Sequence, residues 1–82
     1  MVDSVIVTVN TENQDFSIDM ELPAQLPVKE LAPKLLETLK EIKPSKFRVL
    51  DKLTLIFNGA IIPESATLES ESIWEGKILV VR

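Results

Sequence analysis

The feature that most constrains the fold of this chain is a single amphipathic segment with helical spacing, set between segments that have strand spacing. Pro27 suits the first turn of a helix, and Pro44 closes the segment. Between the two prolines, apolar residues recur every three or four positions and form one stripe: Val28, Leu31, Leu35, Leu39 and Ile42. A lone helix of this kind must bury its stripe against another element, and the rest of the chain offers only strands.

Two predicted strands precede the helix. Ser4–Asn10 is β-branched almost throughout, which suits a pleated, half-buried strand. Thr11–Asp15 is a polar turn, after which apolar and polar residues alternate, the apolar ones being Phe16, Ile18, Met20 and Leu22. These segments predict a β-hairpin whose second strand has one apolar face and one acidic face.

Three predicted strands follow the helix. They are Leu53–Phe57, then Ala60–Ile62 after the turn residues Asn58-Gly59, and finally Lys77–Arg82. Lys46–Asp51 fits a short strand or an ordered loop, and both alternatives stay open. Pro33 is expected to kink or restart the helix, because it removes the hydrogen bond to the Lys29 carbonyl.

The order of elements is therefore strand–strand–helix–strand–strand–strand. A sheet with one apolar face and one amphipathic helix packs with the helix across that face. The chain is thus predicted to be an α+β roll with a mixed sheet of four to five strands, the β-grasp arrangement. At 82 residues and 9.2 kDa, residues 1–82 are expected to form a single domain.

The composition excludes most enzyme chemistry. The chain has no Cys and no His, so thiolate nucleophiles, common zinc sites and Ser-His-Asp triads cannot be built. Its two glycines, Gly59 and Gly76, cannot form a phosphate-binding glycine motif. We therefore expect a protein that is not an enzyme and has no cofactor, metal or catalytic residue. A net charge of −4 also argues against nucleic-acid binding.

The ends of the chain bear on its location. Met1–Asn10 contains no Lys or Arg, so it lacks the basic region of a secretory signal. The longest aliphatic run, Ile78–Val81, has four residues, whereas about 20 are needed to span a bilayer. We expect a cytoplasmic protein without direct membrane insertion.

The chain resembles known families at its turn and hydrophobic positions. Leu55–Gly59, Ile62–Glu64, Thr67-Leu68, Ile73 and Ile78–Val81 are similar in spacing to the second half of ubiquitin. Asp19–Leu36 more closely resembles the strand-to-helix junction of the YukD/EsaB family, ubiquitin-like proteins of bacterial type VII (WXG100) secretion systems. In that family, too, a proline interrupts the helix before a leucine pair.

This resemblance implies a non-catalytic ubiquitin-like adaptor or regulatory protein of a type VII secretion system. Its partner would be the membrane ATPase or another core subunit of the secretion machine. One alternative is a modifier or sulfur carrier whose Gly-Gly tail lies beyond Arg82, where this chain stops. Another is the detached cytoplasmic domain of a larger membrane secretion subunit.

Alternation along the strands predicts a protein-binding surface. With Val5, Leu55 and Leu79 in the core, the sheet face opposite the helix carries Ile6, Ile56, Ile78 and Val80. By resemblance, this is the face with which ubiquitin meets its partners, and Ile56 falls at its central isoleucine. Replacing Ile56 by Asp is therefore expected to abolish binding and leave the fold intact. Such a face can equally form a homo-oligomer.

Other residues are expected to assist this surface. Arg82 and the stretch Lys46–Lys52 would orient the partner, although residues 40–52, with a local charge of +3, also fit a solvated loop. Trp74, the one tryptophan, fits either an interface anchor or a cover for the edge of the core.

Overall fold

Five strands and two helices make up the computed structural model, which describes residues 3–82. The elements in chain order are β1 (Ser4–Thr11), β2 (Ser17–Pro23), α1 (Val28–Ile42), α2 (Pro44–Phe47), β3 (Leu55–Phe57), β4 (Ala60–Ile61) and β5 (Ile78–Val81). The predicted elements all form, with boundaries that differ by at most two residues.

The strands form one sheet in the order β2-β1-β5-β3-β4. The first and last strands lie side by side and run parallel, with Val9 opposite Leu79, while every other pair is antiparallel. This mixed five-stranded sheet with one long helix confirms the predicted α+β roll and its β-grasp arrangement.

The core lies between α1 and one face of the sheet. The helix buries Val28, Leu31, Ala32, Leu35, Leu36 and Leu39. The sheet contributes alternate residues of its strands, among them Val5, Val7, Val9, Leu55, Leu79 and Val81. Ile42, the last residue of the predicted stripe, is exposed, because the helix ends there and the chain turns at Lys43 into α2.

Pro33 does not restart the helix. A single helix runs from Val28 to Ile42 with Pro33 inside it, and the proline ring is exposed. The N-terminal end is held by tertiary hydrogen bonds, because the Val28 and Lys29 amides donate to the carbonyls of Ala66 and Glu64 at 2.8 and 3.0 Å. The expectation of a restart was therefore wrong, since packing and these bonds outweigh one missing helical bond.

The segment Lys46–Asp51, for which a strand and a loop were both considered, begins within the short helix α2. Phe47 ends the short helix α2 and is almost fully buried, with its ring 5.3 Å from that of Phe16 in an edge-to-face contact. The chain then turns through Arg48 and Val49 before it enters the sheet. The strand alternative for Lys46–Asp51 was therefore wrong.

A tight turn joins β3 and β4. Asn58 and Gly59 both have positive φ angles, 51° and 80°, and Phe57 is paired with Ala60 on either side of them. Two successive residues with positive φ define a type I′ turn, for which Asn-Gly is the favoured sequence. The turn folds Ile61 back beside Ile56.

Candidate functional site

The face of the sheet opposite α1 carries a continuous row of aliphatic side chains. Val5 and Val7 of β1 face the core, so Ile6 between them lies on the other face. Ile78 pairs with Thr8, which is two residues after Ile6 in β1, so Ile78 lies diagonally beside Ile6 on that face. We call this the aliphatic row, and it contains Ile6, Ile78, Val80, Ile56 and Ile61. The strand pairing extends the row across β3 and β4, because Val80 pairs with Ile56 and Ile56 pairs with Ile61.

Members of the aliphatic row differ in exposure. Ile61, Ile78 and Ile6 are 58%, 52% and 47% exposed, whereas Val80 is half-buried. Ile56 is only 9% exposed, and its two register partners, Ile61 and Val80, flank it on this face. The structure thus brings the four predicted residues together, but their predicted centre presents little surface.

Ile61 is a member of the row that the sequence analysis missed. The sequence carried the signal, because a two-residue turn at Asn58-Gly59 pairs Phe57 with Ala60 and therefore Ile56 with Ile61. Paired residues share one face of a sheet, so Ile61 belongs on the face of Ile56.

The β1–β2 half of the same face is polar and acidic. Glu21 pairs with Ile6, and its Oε2 accepts a hydrogen bond of 2.5 Å from the Ser4 hydroxyl. Asp19 pairs with Thr8, whose hydroxyl donates to Asp19 Oδ1 at 2.7 Å. The open face is therefore divided into an aliphatic half and an acidic half.

A turn before β5 adds a third carboxylate at the Ile6 end. Glu75 Oε1 accepts the Ile6 amide at 2.9 Å, and the Gly76 amide donates to the Ile6 carbonyl at 3.0 Å. Gly76 has φ 81°, a conformation that glycine adopts without strain. These bonds fix the turn beside β1 and extend the acidic half of the face. We call Asp19, Glu21 and Glu75 the acidic margin.

Trp74 begins this turn and is 40% exposed. Its carbonyl accepts the Lys77 amide at 3.2 Å, while the preceding residue, Ile73, is fully buried. The backbone of Trp74 is thus anchored close in sequence to the groups that bind Ile6, and much of its indole ring remains accessible.

The predicted orienting cations Arg82 and Lys46 form ion pairs, and Arg82 lies two positions after Val80 at one end of the aliphatic row. Arg82 Nη1 is 2.9 Å from Glu12 Oε2 at the hairpin end of the sheet. Lys46 forms an ion pair with Asp15 in the same region. The hydrogen bond from Lys46, supported by one from the Thr11 hydroxyl, lowers the pKa of the Asp15 carboxyl from its ordinary value of 3.8.

The other end of the basic stretch borders a groove beside α1. Lys52 Nζ lies 3.5 Å from Glu64 Oε1. The groove has a volume of about 220 Å³, and its apolar wall includes Val28, Ala32, Leu36, Leu53 and Ile62. The structure therefore does not bring Lys46 and Lys52 together as one charged patch.

Neither metal-binding clusters nor membrane-spanning helices occur within residues 3–82. Within this range, no group of three or more Asp or Glu residues is arranged to hold a metal ion. None of the helices in the same range is long and apolar enough to cross a membrane.

A sheet in the order β2-β1-β5-β3-β4, with one long helix packed across a single face, defines the class of ubiquitin-like β-grasp domains. The profile of one family in this class matches residues 4–81, and its description is "WXG100 protein secretion system (Wss), protein YukD". The chain belongs to the YukD family.

Solved structures support the fold. The EccD5 ubiquitin-like domain from Mycobacterium xenopi is 16% identical with a TM-score of 0.81, and the alignment covers 99% of this chain and 94% of that domain. The ubiquitin-like domain of the Mycobacterium tuberculosis type VII secretion protein ECCD1 is 17% identical with a TM-score of 0.77, covering 98% of both chains.

A third similar structure is much longer. It is a chain of the MycP5-free ESX-5 inner membrane complex, with 20% identity and a TM-score of 0.81. The alignment covers 99% of this chain but only 21% of that one. No curated protein matches the chain significantly.

Proposed function

We propose that this protein is a non-catalytic ubiquitin-like adaptor of a type VII (WXG100) secretion system, acting in the cytoplasm as a single domain over residues 1–82. It binds a membrane ATPase or another core subunit of the secretion machine without covalent attachment. The observation that carries this proposal is the aliphatic row on the open face of the sheet, with three isoleucines about half exposed. Contiguous apolar surface of this kind often marks interaction sites.

The aliphatic row is suited to a reversible contact. Covering the exposed half of an isoleucine removes on the order of 2 kcal/mol of unfavourable hydration at about 25 cal/mol per Å². Ile6, Ile61 and Ile78 together would then supply several kcal/mol, from which the cost of association must be subtracted. Val80 and Ile56 expose less surface, but they lie between these isoleucines and make the apolar surface continuous.

The family match supports the secretion system as the setting. YukD is described as a protein of the WXG100 secretion system. A structurally similar domain lies within a chain of an inner membrane secretion complex. Both findings favour a protein partner in the membrane complex, to which this chain would bring a recognition surface.

The proposal is tested by replacing Ile78 with Ser. This change removes the central exposed side chain of the row without adding charge, and we expect at least a tenfold loss of affinity for the cytoplasmic domains of the secretion subunits. Val49→Ser is the matched control, because Val49 is 76% exposed in the turn after α2. Binding of purified domains is measured by titration calorimetry.

Affinity purification from producing cells tests the mode of attachment. Secretion subunits are expected to be released by a denaturing wash. Species that survive denaturant and exceed the mass of the chain would show covalent attachment through a modifier function, and the adaptor proposal would fall.

A further inference from the structure

We infer that the partner of the aliphatic row presents basic side chains opposite the acidic margin, so that apolar contact and charge pairing together fix its orientation. This inference rests on the proposed function, because it concerns the same face of the sheet. It concerns the chemistry of the partner surface rather than the identity of the subunit.

The acidic margin directly adjoins the aliphatic row. Glu21 is the register partner of Ile6, and Glu75 accepts the Ile6 amide, so that carboxylates lie on both sides of one end of the row. Asp19 pairs with Thr8, which in turn pairs with Ile78. A partner that covers Ile6 and Ile78 must therefore approach all three carboxylates.

None of these carboxylates forms an ion pair with the described residues. The ion pairs there join Lys46, Lys52 and Arg82 to Asp15, Glu64 and Glu12, none of which belongs to the acidic margin. Lys77 is two residues after Glu75, so this part of the surface carries three carboxylates and one ammonium group. Covering such a surface with an uncharged partner would cost the hydration of these groups without replacing it.

The carboxylates are also held in place for a second contact. Hydrogen bonds from the Ser4 hydroxyl, the Thr8 hydroxyl and the Ile6 amide each engage one carboxylate oxygen. The other oxygen of each carboxylate accepts no hydrogen bond from residues 3–82. Because their side chains are already restrained, less conformational entropy is lost when an Arg or Lys binds.

A second copy of the chain is a poorer occupant of this face. A two-fold arrangement that sets the two acidic margins opposite each other places like charges together, and one that sets them opposite aliphatic side chains buries carboxylates without partners. Arg82 and Lys52, which lie near other members of the row, are already paired with Glu12 and Glu64 in their own chain. Charge complementarity therefore favours a basic and aliphatic partner surface.

The test removes charge while it keeps the shape of the acidic margin. The double variant Asp19→Asn/Glu21→Gln retains an oxygen that accepts the Thr8 and Ser4 hydroxyls. Its control is Glu37→Gln/Glu41→Gln, on the exposed surface of α1. Both double variants remove two negative charges from the net charge of −4, so they have the same net charge and lose it at different places on the surface. The probes are the purified cytoplasmic domains of the secretion ATPase and core subunits from the same cell.

We expect the Asp19→Asn/Glu21→Gln variant to bind about fivefold to tenfold more weakly at 50 mM salt, mainly through a slower association rate. The difference should shrink to less than about twofold at 500 mM salt, because mobile ions screen the attraction. The α1 control should bind as the unaltered protein does. Surface plasmon resonance gives both rate constants.

The results separate the two proposals. If Ile78→Ser abolishes binding but the acidic variant binds as well as its α1 control, or more tightly, the face is correct and the basic partner is wrong. If Ile78→Ser binds unchanged, or no probe binds the unaltered protein, the proposed function falls and the inference falls with it. A dimer in sedimentation equilibrium that Ile78→Ser dissociates would place a second copy on this face and overturn the inference.

Discussion

Ile56 is the member of the aliphatic row whose side chain is most buried. It lies on the open face of the sheet, yet Ile61 and Val80 flank it and leave it 9% exposed. Strand alternation predicted its face correctly, because alternation depends only on local geometry. Its burial could not be predicted, since it depends on how far the short strand β4 extends beside β3.

We therefore predict that Ile56→Asp destabilises the fold, contrary to the expectation from sequence. Placing a carboxylate at this position should lower the free energy of unfolding by about 3 kcal/mol. Ile61→Asp, on the same face but 58% exposed, should change it by less than about 1 kcal/mol. Urea denaturation followed by tryptophan fluorescence measures both, and equal losses would contradict the described packing.

A second prediction at this scale concerns the ion pair between Lys46 and Asp15. Because Lys46 lowers the pKa of Asp15, the stabilisation is complete above the unfolded value of about 3.8 and is lost as pH falls through the lower folded value. Lys46→Gln should raise the pKa of Asp15 towards its ordinary value and reduce the stability difference between pH 6 and pH 3. NMR titration of the Asp15 carboxyl tests this, and an unchanged pKa would contradict the ion pair.

At the scale of elements, the helix and the hairpins follow from patterns that the sequence displays. The stripe on α1 and the period of two in β2 each dictate one buried face, and the structure has both. The short helix α2 had no such pattern, because four residues are too few to show a period. Phe47 is buried there through contact with Phe16, thirty-one positions away, which no local signal announces.

The turn between β3 and β4 provides a prediction at this scale. Gly59 has φ 80° and open space where a Cβ would lie, so Gly59→Ala adds backbone strain without a steric clash. We expect the free energy of unfolding to fall by about 1–2 kcal/mol. Asn58→Gly is the control, because Asn58 also has positive φ and glycine relieves that strain. A fully neutral Gly59→Ala, measured by thermal unfolding, would contradict the type I′ turn.

Across the whole molecule, the charges are separated in a way that the sequence only partly revealed. Residues 1–27 carry five acids and no base, and this imbalance is visible in the sequence. Which of these acids remain without a cation depended on long-range pairing. Glu12 and Asp15 form ion pairs with Arg82 and Lys46. Asp19 and Glu21 form none within the described residues. Partners 31 and 70 positions apart cannot be assigned without the fold.

The candidate interface was only partly predictable from the sequence. Its composition on β1, β3 and β5 followed from alternation and the expected strand order. The distribution of exposure within it and the adjoining carboxylate of Glu75 depended on a two-residue strand and a turn. These are tertiary features, and they determine where a partner finds apolar area and where it meets charge.

The most direct test of binding through the aliphatic row compares Ile78→Ser with Val49→Ser in binding to the purified cytoplasmic domains of the secretion subunits. Both variants replace an exposed aliphatic side chain with a small polar one, and only Ile78 belongs to the aliphatic row. Equal thermal stability of the two variants establishes that the fold is intact. We predict at least a tenfold loss of affinity for Ile78→Ser and none for Val49→Ser; equal affinities for the two variants would rule out the aliphatic row as the binding surface.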